Sequence, residues 1–113
     1  MSTTLRALRA LSDPTRLRIM ALVEKSELSV NELQEIAQMG QSRISTHLGL
    51  LQDAELVLSR REGKRTFYRL NEGANELARE FIQVAIRGAK ELSEYPADQV
   101  NLKRLVARRE DQA

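Results

Sequence analysis

The sequence predicts a mainly α-helical fold with one small β-hairpin, and three observations carry that prediction. Apolar residues recur at helical spacing up to about residue 55, the period changes from 3.6 to 2 between residues 56 and 70, and the helical period then returns. At 113 residues the chain suffices for one small domain whose core would be marginal alone, so a second subunit enters the argument early.

The elements follow in order. Leu5, Leu8 and Leu11 stand three apart with Arg6 and Arg9 between them, which suits a short amphipathic helix. "SDPTRLRIMALVEK" offers Ser12 or Asp13 as N-cap and Pro14 at the first helical position, and Leu17, Met20, Ala21 and Val23 give this helix a broad apolar face. Ser29 with Glu32 three residues on forms a capping box, so a third helix is expected from Val30 to about Ala37. Gly40 then caps a fourth helix whose apolar stripe is Ile44, Leu48 and Leu51. Two helices joined by about four residues, the second polar at its beginning, make a helix-turn-helix.

"LVLSRREGKRTFYRLN" reads as two extended runs, Leu56 to Arg61 and Arg65 to Leu70, around a turn at Glu62, Gly63 and Lys64. Asn71 is expected to cap a long helix from about Ala74 to Ser93, interrupted before Pro96. Ala74, Ala78, Phe81, Ala85, Gly88 and Leu92 recur along it at heptad-like spacing, and small residues so placed let another helix approach closely. A last amphipathic helix starts from Asp98 with Val100, Leu102, Leu105 and Val106. The expected organisation is one domain over residues 1–93, holding the helix-turn-helix, the hairpin and the long helix, followed by a linker and C-terminal helix over 94–113.

Composition removes several chemistries. The chain has no cysteine and one histidine, so thiolate metal sites, disulfides and nucleophilic cysteine chemistry are out. Ser42, Ser45 and His47 share one polar helix face without an orienting third group, which argues against an enzyme. No run approaches the roughly 18 apolar residues of a membrane span. The expectation is a cytoplasmic protein with no membrane partner, no metal and no cofactor. The 18 Lys and Arg nearly balance the 16 Asp and Glu, so the distribution of charge matters more than its sum.

That distribution points to nucleic acid. Gln41, Ser42, Arg43, Ser45, Thr46 and His47 crowd the start of the fourth helix, where the helix dipole and free N–H groups favour phosphate and short polar side chains reach base edges in the major groove. Gln41 and Arg43 have the donors for adenine or guanine, and the hydroxyls suit phosphate or mixed contacts. Arg60, Arg61, Lys64 and Arg65 surround the hairpin tip with Arg69 on the return strand, as a wing lying along a phosphate backbone requires. A solvated helix face and an edge hairpin kept soluble by its charges are the plainer readings. Phe67 and Tyr68 are adjacent and face opposite sides, so one belongs to the core.

In this order "LSDPTRLRIMALV", "ELSVNELQEI", "QSRISTHLGLL" and "RREGKRTFYRL" resemble the ArsR/SmtB family of winged helix-turn-helix transcriptional regulators, over about residues 5 to 92. The resemblance implies a homodimeric repressor of an inverted-repeat operator in double-stranded DNA, released by an effector, here a small molecule of unidentified class if any. It also implies pairing through the first helix and the helix after the wing, which puts Leu5, Leu8, Ala78, Phe81, Ala85 and Leu92 at the expected dimer interface. Where thiolate sensors of the family carry a Cys-Val-Cys type motif, this chain has Ser29, Val30 and Asn31, and Ser and Asn do not replace thiolates. The long helix lacks the His of the family's other metal site. Gln38 and Glu55 stand where the family often has Gly at a helix end, so each is expected in a left-handed or distorted C-cap at a cost of roughly 1 kcal/mol. The wording is most similar to the subgroup in which this module precedes a methyltransferase domain dependent on S-adenosylmethionine. The alternative function is a winged-helix dimerisation or protein-interaction module, including the N-terminal regulatory part of such a methyltransferase.

Overall fold

A computed structural model describes residues 2–112. Helices α1 (Thr3–Ala10), α2 (Pro14–Lys25), α3 (Val30–Ala37), α4 (Gln41–Asp53), α5 (Glu76–Ala89) and α6 (Tyr95–Gln112) surround strands β1 (Leu28–Ser29), β2 (Val57–Glu62) and β3 (Arg65–Leu70). The strands form one antiparallel sheet in the order β1-β3-β2. This is a winged helix-turn-helix, mainly α with a small β-hairpin. Among the described residues no helix is long and apolar enough to cross a membrane.

Local chemistry explains most of the boundaries. Asp13 rather than Ser12 caps α2, its carboxylate accepting from the Arg16 N–H at 3.1 Å, with Pro14 in the first turn. The capping box of α3 forms in both directions: Ser29 Oγ accepts from the Glu32 N–H at 3.2 Å and Glu32 Oε1 accepts from the Ser29 N–H at 2.9 Å. Gln38, at φ 57°, and Glu55, at φ 62°, adopt the left-handed conformation expected of them, each turning the chain out of a helix.

Four expectations are corrected. Strand β1 was not anticipated: Leu28 and Ser29 pair with Tyr68 and Phe67, and two residues are too few to show a period. The cap of α5 is Asn75, whose side chain accepts from the Ala78 N–H at 2.9 Å. Asn71 instead donates to the Glu55 carbonyl at 2.9 Å, fastening the end of the hairpin to the left-handed turn after α4. Helix α5 also stops at Ala89, short of Ser93, because Lys90, Glu91 and Leu92 close tighter turns by bonding three residues back. The break before Pro96 is present, but α6 begins at Tyr95 rather than Asp98, with Pro96 in its first turn, where its missing N–H costs nothing.

The core is continuous beneath the helix-turn-helix. Ile19, Met20 and Leu22 of α2, Leu33 and Ile36 of α3, and Ile44, Leu48 and Leu51 of α4 are essentially without solvent contact, together with Leu28, Leu56 and Val57. Helix α5 adds Ile82, Ala85 and Ile86, and α6 adds Leu102 and Leu105. This corrects the reading of Ala78 and Ala85 as residues facing a partner. They are 3% and 1% exposed because their side of α5 packs inside the chain, which places Leu77 and Val84 on the outer side instead.

Helix α6 is held by charge as well as by leucines. Asp98 takes two bonds from Arg18, Nε to Oδ2 and Nη2 to Oδ1, each 2.8 Å, while Arg18 Nη2 also reaches the Ala37 carbonyl at 3.3 Å. Both side chains are buried, at 10% and 5% exposure. Further along α6, Arg109 donates to both oxygens of Glu32 and to the Glu27 carbonyl, and Arg108 pairs with Glu35.

Removing one partner of a buried pair leaves the other charged and unanswered, so Asp98→Ala is expected to cost about 3–5 kcal/mol in urea denaturation. Arg18→Met combined with Asp98→Leu is expected to recover most of that loss; a harmless Asp98→Ala would show that the pair does not hold α6. Gln38→Gly should relieve left-handed strain worth up to about 1 kcal/mol and raise the melting temperature by a few degrees. A lowered melting temperature would contradict strain at that turn.

Candidate nucleic-acid interface

The beginning of α4 is exposed because only one side of the helix is apolar. Ile44, Leu48 and Leu51 fix that side in the core, and Gln41, Ser42, Arg43, Ser45 and Thr46 are left in solvent. Thr46 turns its hydroxyl back onto the Ser42 carbonyl at 2.9 Å, so its methyl group is the part presented outward. His47 lies lower on the flank, half-buried, with Arg16 Nη1 3.1 Å from its Nδ1.

The hairpin register decides which wing residues share a face. Val57, Ser59 and Arg61 face Leu70, Tyr68 and Thr66, and Tyr68 and Leu70 pack on the core. The opposite face pairs Arg60 with Phe67 and Glu62 with Arg65. Within the hairpin Gly63 takes a positive φ, 62°, at the first position of the two-residue turn with Lys64, where a side chain would be strained. Gln52 of α4 donates to Ser59 Oγ at 3.0 Å and so ties α4 to the wing.

The wing cations divide into two groups. Arg60 is engaged: Glu27 and Glu62 hold its guanidinium at 2.7 and 3.0 Å, and its Cζ lies 4.9 Å above the Phe67 ring, a cation–π contact. Arg69 approaches the other oxygen of Glu27 at 3.7 Å, and Arg61 folds back on the Gly63 carbonyl at 3.4 Å. By contrast, Arg43, Lys64 and Arg65 have no carboxylate within ion-pair distance among the described residues. Lys64, Arg65 and Thr66 of the wing meet Gln41 of α4 and Ser29 and Asn31 at the start of α3 around one cleft of about 250 Å³. The structure thus brings Gln41, Lys64 and Arg65 together and leaves Arg43, Ser45 and Arg61 off that cleft. Sequence reasoning missed Asn31 as part of this surface, although its place in the first turn of α3, two residues after the Ser29 cap, was a signal that was present.

With that geometry in view, comparison with known proteins is decisive. Residues 13–59, from the cap of α2 into β2, match the family described as "Bacterial regulatory protein, arsR family". The chain is 42% identical over 66 residues to the probable mercury resistance operon repressor of Streptomyces lividans, covering 58% of this chain and 53% of that one. The crystal structure of the transcriptional repressor BigR from Xylella fastidiosa superposes with a TM-score of 0.63 at 33% identity, over 80% of this chain and 88% of that one. A homodimeric winged helix-turn-helix DNA-binding domain from Mycobacterium bovis gives a TM-score of 0.66 at 29% identity, over 81% and 83%. The chain belongs to the ArsR family. It spans about half the length of the curated relatives it matches.

The thiolate metal site of ArsR sensors does not fit the residues present. Ser29 is 3% exposed and its hydroxyl is occupied by the α3 cap, and Asn31 offers only an amide. Glu32, the carboxylate nearest to them, is committed to Arg109 and to the Ser29 N–H.

Two titrations follow from the site. Burial holds the His47 imidazole below its ordinary 6.5, with Arg16 and Arg43 adding to the effect and Asp13 opposing it. A guanidinium only donates, so its contact with Nδ1 is a hydrogen bond when the proton sits on Nε2 and the ring is neutral. The unfolded chain therefore binds this proton more readily, and the contribution is full above 6.5 and lost as pH falls from there toward the folded value. For Glu32 burial acts upward, and the bonds from Arg109 and Ser29 more than offset it, leaving the carboxyl below its ordinary 4.5. Its contribution is lost in a separate, lower window. Between about pH 7.5 and 5.5 the wild-type urea midpoint should fall more than that of His47→Gln. Parallel curves would remove His47 as the source.

Proposed function

We propose that this chain is a sequence-specific DNA-binding transcriptional repressor that works as a homodimer on an inverted-repeat operator in double-stranded DNA, with no catalytic step. The observation that carries this is the shared opening of Gln41, Asn31, Lys64 and Arg65 onto one cleft beside the exposed start of α4, with unpaired cations on it. A phosphate strand laid in that cleft lets the helix N-terminus and wing bind backbone while Arg43 and Ser42 reach bases. Arg43 is read as a base contact, and Ser45, Thr46 and His47 as flanking contacts. Arg60 and Arg61 act as wing charges that exchange their internal partners for phosphate. The names of the relatives, a mercury resistance operon repressor and a transcriptional repressor, support the same reading.

The dimer is read from a face rather than from a stripe of alanines. Leu5 and Leu8 of α1 and Leu77 and Val84 of α5 are 51%, 52%, 44% and 54% exposed, with Phe81 half-buried among them. Helices α1 and α5 are neighbours, tied where Asn75 donates to Thr3 Oγ1 at 3.2 Å. Leu77, Phe81, Val84 and Gly88 follow helical spacing along one side of α5, which suits a two-fold contact between copies. Leu92 is half-buried beyond the end of that helix.

Double-stranded DNA selected from a random pool supplies the test. A dimer neutralising about 6–10 phosphates should show log K falling against log salt with a slope of about −5 to −9. A slope shallower than about −2, or a pool that shows no enrichment, rejects the reading. Arg43→Ala should relax discrimination at one base pair per half-site by about 1–3 kcal/mol, while Arg65→Ala weakens all sequences alike. Identical behaviour of the two variants would refute this division of roles. In sedimentation, Val84→Lys should give a monomer at concentrations where the wild type is dimeric; a persistent dimer would take α5 out of the interface.

A further inference from the structure

We propose that Arg109 of α6 is a positioning residue for the wing: it fixes the link between α2 and α3, which braces the outer face of the hairpin, and so sets the gap between the wing and the start of α4. The geometric half of this statement stands on contacts alone. Its consequence, that Arg109 prepares the gap for a DNA backbone, rests on the DNA-binding reading above.

The side that α6 turns toward the chain is apolar only in its middle. Asp98, Leu102, Leu105 and Arg109 follow one another at helical spacing, so two core leucines are flanked by an acid held by Arg18 and, near the far end, by an arginine. Arg109 sits where the link between α2 and α3 passes. Its Nε donates to Glu32 Oε2 at 2.7 Å and its Nη2 to Glu32 Oε1, while Nη2 also donates to the Glu27 carbonyl at 2.9 Å. Nη1 reaches Ser26 Oγ at 3.4 Å. One planar fork therefore ties residues 26 and 27 to the first turn of α3. A plain ion pair with Glu32 would leave Ser26 and Glu27 untouched; here the same guanidinium takes a main-chain carbonyl, which fixes the course of the chain.

The link in turn holds the wing from outside. Leu28 and Ser29 pair with Tyr68 and Phe67 of β3. Tyr68 and Leu70 seat the inner face of the hairpin in the core, and the register puts Arg60, Phe67 and Arg69 on its outer face. Glu27 lies against that outer face, its Oε1 accepting from Arg60 Nε at 2.7 Å and its Oε2 3.7 Å from Arg69 Nη1. The carboxylate that steadies two wing arginines thus belongs to the residue whose carbonyl Arg109 holds. If phosphate takes Arg60, Arg69 and the β1–β3 pairing still join the wing to the link. Ser29 and Asn31, just beyond, line the cleft with Gln41, Lys64, Arg65 and Thr66. With Arg109 removed, the link rests on a two-residue strand and the α3 cap, and the hairpin tip swings more freely about its seated base. A wing whose distance from α4 varies must be ordered when DNA binds, at a cost in affinity.

The test compares the full chain with its Arg109→Ala and Arg109→Lys variants, each also combined with Lys64→Ala and Arg65→Ala, on DNA selected by the wild type. Arg109→Ala is expected to bind that DNA about tenfold more weakly. It should lose little further once Lys64 and Arg65 are alanine, because a wing without its cations gains nothing from being placed. An equal loss in both backgrounds would mean general destabilisation or a direct DNA contact by Arg109, and overturns the proposal. Arg109→Lys keeps the charge without the fork and should bind as Arg109→Ala does; wild-type affinity in the lysine variant would show that charge alone suffices. Hydrogen exchange in the free, isotope-labelled proteins tests the geometry without DNA. In Arg109→Ala the amides from Arg60 to Tyr68 should exchange faster, with Leu48 and Leu51 of α4 unchanged. Uniform acceleration, or none in the wing, removes the positioning role. If the wing amides respond as expected while the wild type enriches no DNA, the positioning of the wing stands and the DNA-binding reading falls instead.

Discussion

Everything at the candidate interface depends on one constraint, that α4 must be immovable on one side and bare on the other. Ile44, Leu48 and Leu51 have no solvent contact, and they set the rotation of the helix about its axis. A turn of one residue about that axis would carry Arg43 or Ser45 into the leucines, at the cost of an unpaired buried polar group. The core therefore aims the polar residues, and no hydrogen bond among those residues is needed to do it. The Gln52 to Ser59 contact extends the same constraint to the wing, so that helix and hairpin keep a fixed separation.

Helix α6 acts on the other side of the motif. Its arginines meet the carboxylates of α3 in sequence, Arg109 with Glu32 and Arg108 with Glu35, while Asp98 holds Arg18 of α2. Glu32 is also the carboxylate of the capping box, so a single side chain both closes the start of α3 and receives α6. That start of α3 contributes Ser29 and Asn31 to the cleft shared with the wing. Whatever loosens α6 thus acts on a wall of the candidate site without touching α4, through a paired charge rather than through the apolar core. The burial of the Arg18–Asp98 pair makes this a matter of geometry more than of stability, since an apolar pair of similar shape can be as stable.

The helical period, the caps at Ser29 and Gly40 and the hairpin were legible because each is written in adjacent residues, while the left-handed turns at Gln38 and Glu55 were expected from the family resemblance. What was not legible comes from residues far apart. Counting charges between residues 57 and 70 finds only Glu62 opposing five cations, yet Glu27, from 33 residues upstream, reaches Arg60 and approaches Arg69. The wing offers fewer unpaired cations than its own composition suggests. Ala78 and Ala85 misled for a related reason: small residues at heptad spacing mark a close approach of some other element, and the period does not say whether that element belongs to the same chain. Here it is the chain itself, which packs α5 on its own core. Asp98 was placed at the start of the last helix, while its partner Arg18 lay 80 positions away. Strand β1 is two residues of an irregular link until β3 supplies the partner.

The outer side of α1 and α5 links the core to the way two copies would act together. Leu5, Leu8, Leu77 and Val84 leave apolar surface uncovered on the side of the molecule formed by the first helix and the helix after the wing. On the dimeric reading, two-fold contact there buries this surface twice over and sets the distance between two copies of α4, which neither copy controls alone. Spacing on DNA then depends on how α1 sits against α4, and Arg16 is the side chain that touches both, through the Ala10 carbonyl and His47. Raising the charge on His47 turns an accepted hydrogen bond into a repulsion between two cations. The joint between α1 and α4 is in this way polar and reversible, where the seats of both helices in the core are apolar and are not.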